Sequence, residues 1–212
     1  MRIETNGMGK RYRREWILRQ ADLQLLPGHA YAITGPNGAG KSTLLRLLSG
    51  HLTPSKGSIR FFDAQSEIPT AEAYRHISYA APYIELIEEL TLRESLQFHR
   101  QFRPFLNGMT DKDIIELLAF RKAEDKQIRH FSSGMKQRLK LALALCSDAS
   151  AVLLDEPTTN LDRQGMDWYH NLVKTMRGNR LLIVASNVEE DLRFCEERID
   201  ILAFKNPATP AR

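Results

Sequence analysis

Nine consecutive residues, Gly35-Pro-Asn-Gly-Ala-Gly-Lys-Ser-Thr43, bring three glycines, a lysine and two hydroxyls together. Glycine at 35, 38 and 40 lets the chain turn so that main-chain N–H groups point inward around an anion. A helix starting at Lys41 would add the partial positive charge of its N-terminus. Lys41 has the reach to hold outer phosphates, and the Ser42 hydroxyl suits Mg²⁺. Gly35, Asn37, Gly38, Ala39, Gly40, Lys41, Ser42 and Thr43 are therefore the candidate cradle for a nucleoside triphosphate. The competing reading is an ordinary glycine-rich turn. Context favours the cradle, because this motif needs a strand before it and a helix after it. Tyr31-Ala-Ile-Thr34 reads as the strand, and Leu44, Leu45, Leu47 and Leu48 mark the buried side of a helix.

A second constellation lies at Ala151-Val-Leu-Leu-Asp-Glu156, an apolar strand ending in two carboxylates. An acid at such a strand end holds Mg²⁺, usually through water, which is the role expected of Asp155. Glu156, one residue on, is placed to polarise an attacking water as a general base. A solvated acidic turn closed by Pro157 is the alternative. Ser132-Ser-Gly134 opens a helical stretch and offers an anion site of hydroxyl and N–H groups, or simply an N-cap.

These groups need a scaffold that alternates strand and helix. Strands are expected around Leu23 and Leu25 and over 31–34, 58–62, 77–79, 151–154, 181–185 and 199–204. Helices are expected from Lys41 to about Ser49, from the Thr91/Glu94 capping box to about Phe102, from Thr110 to about Phe120, from Ser132 to about Cys146, over 165–176 and over 189–195. Apolar strands alternating with helices imply α/β architecture with a mostly parallel sheet. The stretch from about Pro82 to Cys146 reads as a helical sub-domain inserted into one domain of residues 1–212. The tail, Asn206 to Arg212, reads as loose and polar.

Composition narrows the options. Of 212 residues, 42% are hydrophobic and 26% charged, which suits a globular core. A net charge of +4 is too small to argue for nucleic acid or lipid binding. Cys146 and Cys195 have no ligand companions at short spacing, so a zinc site is not expected, and free thiols fit a reducing cytosol. Met1–Met8 lacks an apolar signal region. The longest apolar run, near Leu141–Cys146, falls well short of the roughly 20 residues that span a bilayer. Any action at a membrane is expected to go through a partner.

At this point the chain resembles the nucleotide-binding domain of ATP-binding cassette proteins over about Ile3 to Phe204. Phe131-Ser-Ser-Gly-Met-Lys-Gln-Arg138 is similar to the family's Leu-Ser-Gly-Gly-Gln signature, and Thr159-Asn-Leu-Asp162 to the segment that crosses its dimer interface. Tyr12 sits where the family places an aromatic ring against adenine. A surface ring among Lys10, Arg11, Arg13 and Arg14 is the other reading of Tyr12, with Trp16 as a rival aromatic. The resemblance implies a P-loop NTPase core, an N-terminal antiparallel β lobe and a helical insert. It also implies that Ser132, Ser133 and Gly134 cover the γ-phosphate held by a second cassette, with Asp162 at the dimer interface. The partners it implies are Mg²⁺, ATP, a second subunit and a polytopic permease, with the chain on the cytoplasmic face of the membrane. No direct nucleic-acid contact is expected.

The pattern departs from the family in three places. The glutamine usual at the junction into the helical lobe falls on Pro82, after Ala80 and Ala81. The usual histidine after the next strand is replaced by Ser186-Asn187; Asn187 can still donate to a γ-phosphate oxygen but carries no proton. In the signature, Ser133 replaces glycine and Met135 replaces glutamine. Losing one preorganised donor at a charged transition state costs ~3 kcal/mol, so slow or altered hydrolysis is expected. The leading expectation is the ATPase subunit of a membrane transporter. The alternatives are a nucleotide-gated interaction module with little turnover and a soluble non-transport cassette.

Overall fold

The computed structural model describes residues 1–64 and 66–205. The tail read as loose over 206–212 lies outside them. The chain divides into two compact units, the first made of Met1–Tyr79, Ser150–Glu156 and Asn179–Arg212.

The first unit holds two sheets. In one, β1 (Arg2–Tyr12) pairs antiparallel with β2 (Glu15–Ala21) and β3 (Gln24–Leu25). The other contains β4 (Ala30–Thr34). After β4 come α1 (Lys41–Leu48), β5 (Lys56–Asp63) and β6 (Ser66–Ile68), and β5 joins the first sheet antiparallel to β1 and to β6. Alternation sets the register there: Ile3 and Phe61, which pair, are fully buried, while Glu4 and Arg60, the next pair, face out and form an ion pair.

The second sheet is completed by β7 (Ile77–Ala80), β8 (Ala151–Asp155), β9 (Leu181–Ala185) and β10 (Glu197–Asp200), in the order β10-β4-β9-β8-β7. The β10/β4, β4/β9 and β9/β8 pairs are parallel. All five residues of β8 and of β9 are buried, which explains their unbroken apolar runs. Leu44, Leu45, Leu47 and Leu48 of α1 share a core with Ile33, Leu153 and Ile183. The last strand ends earlier than its apolar pattern suggests. Asp200 Oδ1 accepts the Leu202 N–H at 2.9 Å, and Ile201–Phe204 winds into a 3-10 turn instead of extending. The helix expected over 189–195 is likewise a 3-10 turn, Glu189–Leu192.

The second unit comprises Ala80–Ala149 and Pro157–Gly178. It contains α2 (Leu92–Phe102), α3 (Asp111–Leu118), α4 (Ser133–Leu145) and α5 (Arg163–Met176). Thr91 and Glu94 form the capping box read from the sequence, and Thr110 with Asp113 forms another. The helical unit is larger than the stretch 82–146, because α5 packs into it. Trp168 Nε1 donates to the Leu117 carbonyl at 2.9 Å, and the Arg138 guanidinium lies 4.6 Å from the Trp168 ring. Among the described residues no helix is long and apolar enough to cross a membrane.

Candidate functional site

The glycine loop joins β4 to α1 inside the first unit. Its glycines take backbone conformations that residues with a side chain rarely adopt: φ is 132° at Gly35, 74° at Gly38 and 110° at Gly40. The Ala39 N–H donates to the Pro36 carbonyl at 3.1 Å, tightening the turn. Pro36, Asn37 and Gly38 are exposed at its tip, Ala39 is buried, and Ser42 and Thr43 open α1, half-buried.

Lys41 is buried, at 5% exposure. Its Nζ donates to the Gly35 carbonyl at 2.9 Å, the Pro36 carbonyl at 3.3 Å and Asn187 Oδ1 at 2.9 Å. The amide group of Asn187 donates in turn from Nδ2 to Asn37 Oδ1 at 2.5 Å. Asn187 is held where it is by its neighbours: the Ser186 N–H donates to the Ile33 carbonyl, and Ser186 Oγ donates to Asp191 Oδ2 at 2.5 Å while accepting the Val188 N–H at 3.0 Å. Nothing in the sequence pattern pointed to Asp191 as the anchor of this turn.

Asp155 ends β8 at 2% exposure, opposite Ala185 of β9. Glu156 follows with φ at 43°, and its N–H donates to the Ala185 carbonyl at 2.8 Å. A non-glycine residue held in the left-handed region is uncommon, and such strain clusters at functional positions. Asp155 and Ser42 fit a hard cation that takes most of its ligands from phosphate oxygens and water.

Tyr12 ends β1 and is 44% exposed, with Lys10 Nζ 5.4 Å from its ring centre. Trp16, its rival, is turned to other work: it packs on Gly9 and carries the guanidinium groups of Arg11 and Arg19 at 5.5 and 5.6 Å. Of the two rings Tyr12 is exposed and Trp16 half-buried.

In the second unit Ser132 is the N-cap of α4, its Oγ accepting the Met135 N–H at 3.2 Å. Ser132 and Ser133 are exposed. A side chain at Gly134 would stand 3.1 Å from the Asn160 carbonyl, so the first turn of α4 and the 157–162 loop approach closely. Gln137 fastens them from below, donating from a buried Nε2 to the Pro157 carbonyl at 2.7 Å. Asp162 caps α5 through the Gly165 N–H at 2.7 Å. Pro82 lies in irregular chain and offers no N–H; its carbonyl accepts from Lys140 Nζ at 3.0 Å. Gln137 was read only as part of a motif; its anchoring role follows from a contact 20 positions away.

A parallel strand, a glycine turn and a helix opening on Lys-Ser, in one unit with a strand ending Asp-Glu, define a P-loop nucleotide-binding fold. Comparison with known proteins makes the class specific. A family model described as ABC transporter matches residues 18–159, and the chain belongs to that family. An uncharacterized ABC transporter ATP-binding protein of Bacillus subtilis is 25% identical over 94% of this chain. The Nod factor export ATP-binding protein I of Rhizobium johnstonii is 31% identical over 92% of it. This chain spans just under two thirds of those relatives, 66% and 64% of their lengths. Among solved structures, a dimeric post-hydrolysis ATP-binding cassette bound to ADP and Pi superposes with a TM-score of 0.80, at 20% identity and 93% coverage of both chains. That likeness carries the fold.

Proposed function

We propose that this chain binds and hydrolyses ATP as the energising subunit of a transporter, working with a second cassette and a separate membrane permease at the cytoplasmic face. The observation that carries the reading is Lys41, buried within the glycine turn, in the same unit as the Asp155–Glu156 strand end. Main-chain N–H groups of the loop and Lys41 bind the phosphates. Ser42 and Asp155 would hold Mg²⁺, which when bound neutralises charge on the phosphates. Glu156 accepts the proton of the attacking water. Asn187 donates to the γ-phosphate through its amide N–H. Tyr12 stacks on the base. Gly35, Asn37, Gly38, Ala39, Gly40 and Thr43 shape the cradle.

The Ser132-Ser133-Gly134 end of α4 is an exposed anion site on a capped helix. In the proposed dimer it covers the γ-phosphate of the other subunit, with Asp162 and its loop beside it. ATP then favours the closed pair and hydrolysis releases it, which drives the permease only through that difference in affinity. The name of the rhizobial relative speaks for export. A second reading, nucleotide-gated association with little turnover, draws on Asn187 and Pro82, neither of which relays a proton.

Phosphate release with Mg²⁺-ATP tests the first reading against the second. Wild type is expected to turn over, and Glu156→Gln to lose about a hundredfold or more while still binding ATP. Equal rates for the two would remove Glu156 from the mechanism, and no turnover in either would favour the second reading.

A further inference from the structure

We propose that Asn187 is a clasp on Lys41 that sets how tightly nucleotide is held and how well ATP is told from ADP. The inference rests on the nucleotide-binding reading of this loop and goes beyond it. An ammonium has three N–H donors, and Lys41 gives them to three acceptors: the Gly35 and Pro36 carbonyls and Asn187 Oδ1. The two carbonyls belong to the loop that Lys41 itself closes, and Lys41 can keep them only within that turn. Asn187 comes from 146 positions away and is the one side chain among the three acceptors. Its other end is tied as well, Nδ2 to Asn37 Oδ1 at 2.5 Å. One amide thus spans the loop from its buried lysine to its exposed tip.

The clasp is built rather than incidental. Ser186 is almost fully buried, and its bonds to Ile33, Asp191 and Val188 hold the turn that presents Asn187. A phosphate oxygen that draws Lys41 toward itself therefore competes with a positioned amide oxygen. Being charged, the phosphate oxygen is the better acceptor and wins, but the net gain is smaller by the bond given up. With ATP, the bond lost at Asn187 Oδ1 is offset by a new one, from the amide N–H to a γ-phosphate oxygen. ADP has no such oxygen, so its loss is not returned. The same side chain then weakens ADP more than ATP, which favours exchange of product for substrate.

Calorimetric titration of the folded chain with Mg²⁺-ADP and with a slowly hydrolysed ATP analogue reads both effects. Asn187→Ala is expected to bind ADP about 3- to 10-fold more tightly, the range of one net hydrogen bond, and the analogue with little gain, so that preference for ATP falls. Asn187→Asp, whose carboxylate grips Lys41 and repels phosphate, is expected to weaken ADP about tenfold or more. Thermal melting checks that each variant is folded. ADP affinity unchanged or weakened in Asn187→Ala, with Lys41→Ala weakening it, would overturn the clasp alone. ADP affinity unchanged in Lys41→Ala would take down the nucleotide-binding reading and the clasp with it.

Discussion

Gly40 is a point at which the loop resists change. Its φ of 110° lies outside what L-residues adopt with ease, and a methyl group built on it would stand 2.7 Å from Ile17 Cγ2 and 3.7 Å from Leu18 Cδ2. Two costs add in Gly40→Ala. The left-handed backbone costs a residue with Cβ roughly 1–2 kcal/mol, and overpacking against β2 costs roughly 1–3 kcal/mol. The expected loss is roughly 2–5 kcal/mol, if the loop keeps its shape. Gly38 supplies the control: φ is 74°, yet nothing lies within 4 Å of the added methyl. Gly38→Ala should lose only the backbone part, roughly 1–2 kcal/mol. Urea unfolding of both variants measures the difference. A double-mutant cycle with Ile17→Ala isolates the steric part, since that change removes the colliding methyl. Equal destabilisation by the two alanines, or no coupling between positions 17 and 40, would refute this account of the loop.

Three further outcomes are expected. Ser132→Ala removes the cap of α4, costing about 1 kcal/mol in a denaturation melt, and lowers ATP turnover without changing ADP affinity. Asn187→His restores a side chain that can carry a proton and should raise phosphate release about tenfold to a hundredfold; no gain would mean Asn187 is not limiting. His99 packs on Phe105 with Nε2 2.7 Å from Ser147 Oγ, and burial pulls its pKa from 6.5 down to about 4. Between those values the unfolded chain binds more protons than the folded one, so stability is full above pH 6.5 and falls as pH drops toward 4. His99→Gln should flatten urea midpoints across that window.

Much of the scaffold could be read from local pattern, because the features concerned are local. The Gly35–Thr43 spacing encodes its own turn, the leucines of α1 mark their face, and Thr91 with Glu94 announces a helix start. Part of what escaped depends on contacts distant in sequence. Helix α5 follows a strand of the first unit but packs with the second, because Trp168 reaches Leu117 and Arg138 covers its ring. The final strand stops early because Asp200 satisfies Leu202 locally, a bond that apolar periodicity does not register. In the site, the residue types were legible and their pairing was not. Asn187 was read as a donor to phosphate, yet its oxygen already serves Lys41. The left-handed Glu156 is likewise invisible in a string of letters.

The central claim is that triphosphate is gripped by the glycine turn and by Lys41. Calorimetry of Mg²⁺-ATP binding to wild type and Lys41→Ala addresses it directly. Loss of hydrogen bonds between an ammonium and phosphate should weaken affinity about 10- to 100-fold in a variant that melts as wild type does. Equal affinity for the two proteins would contradict it.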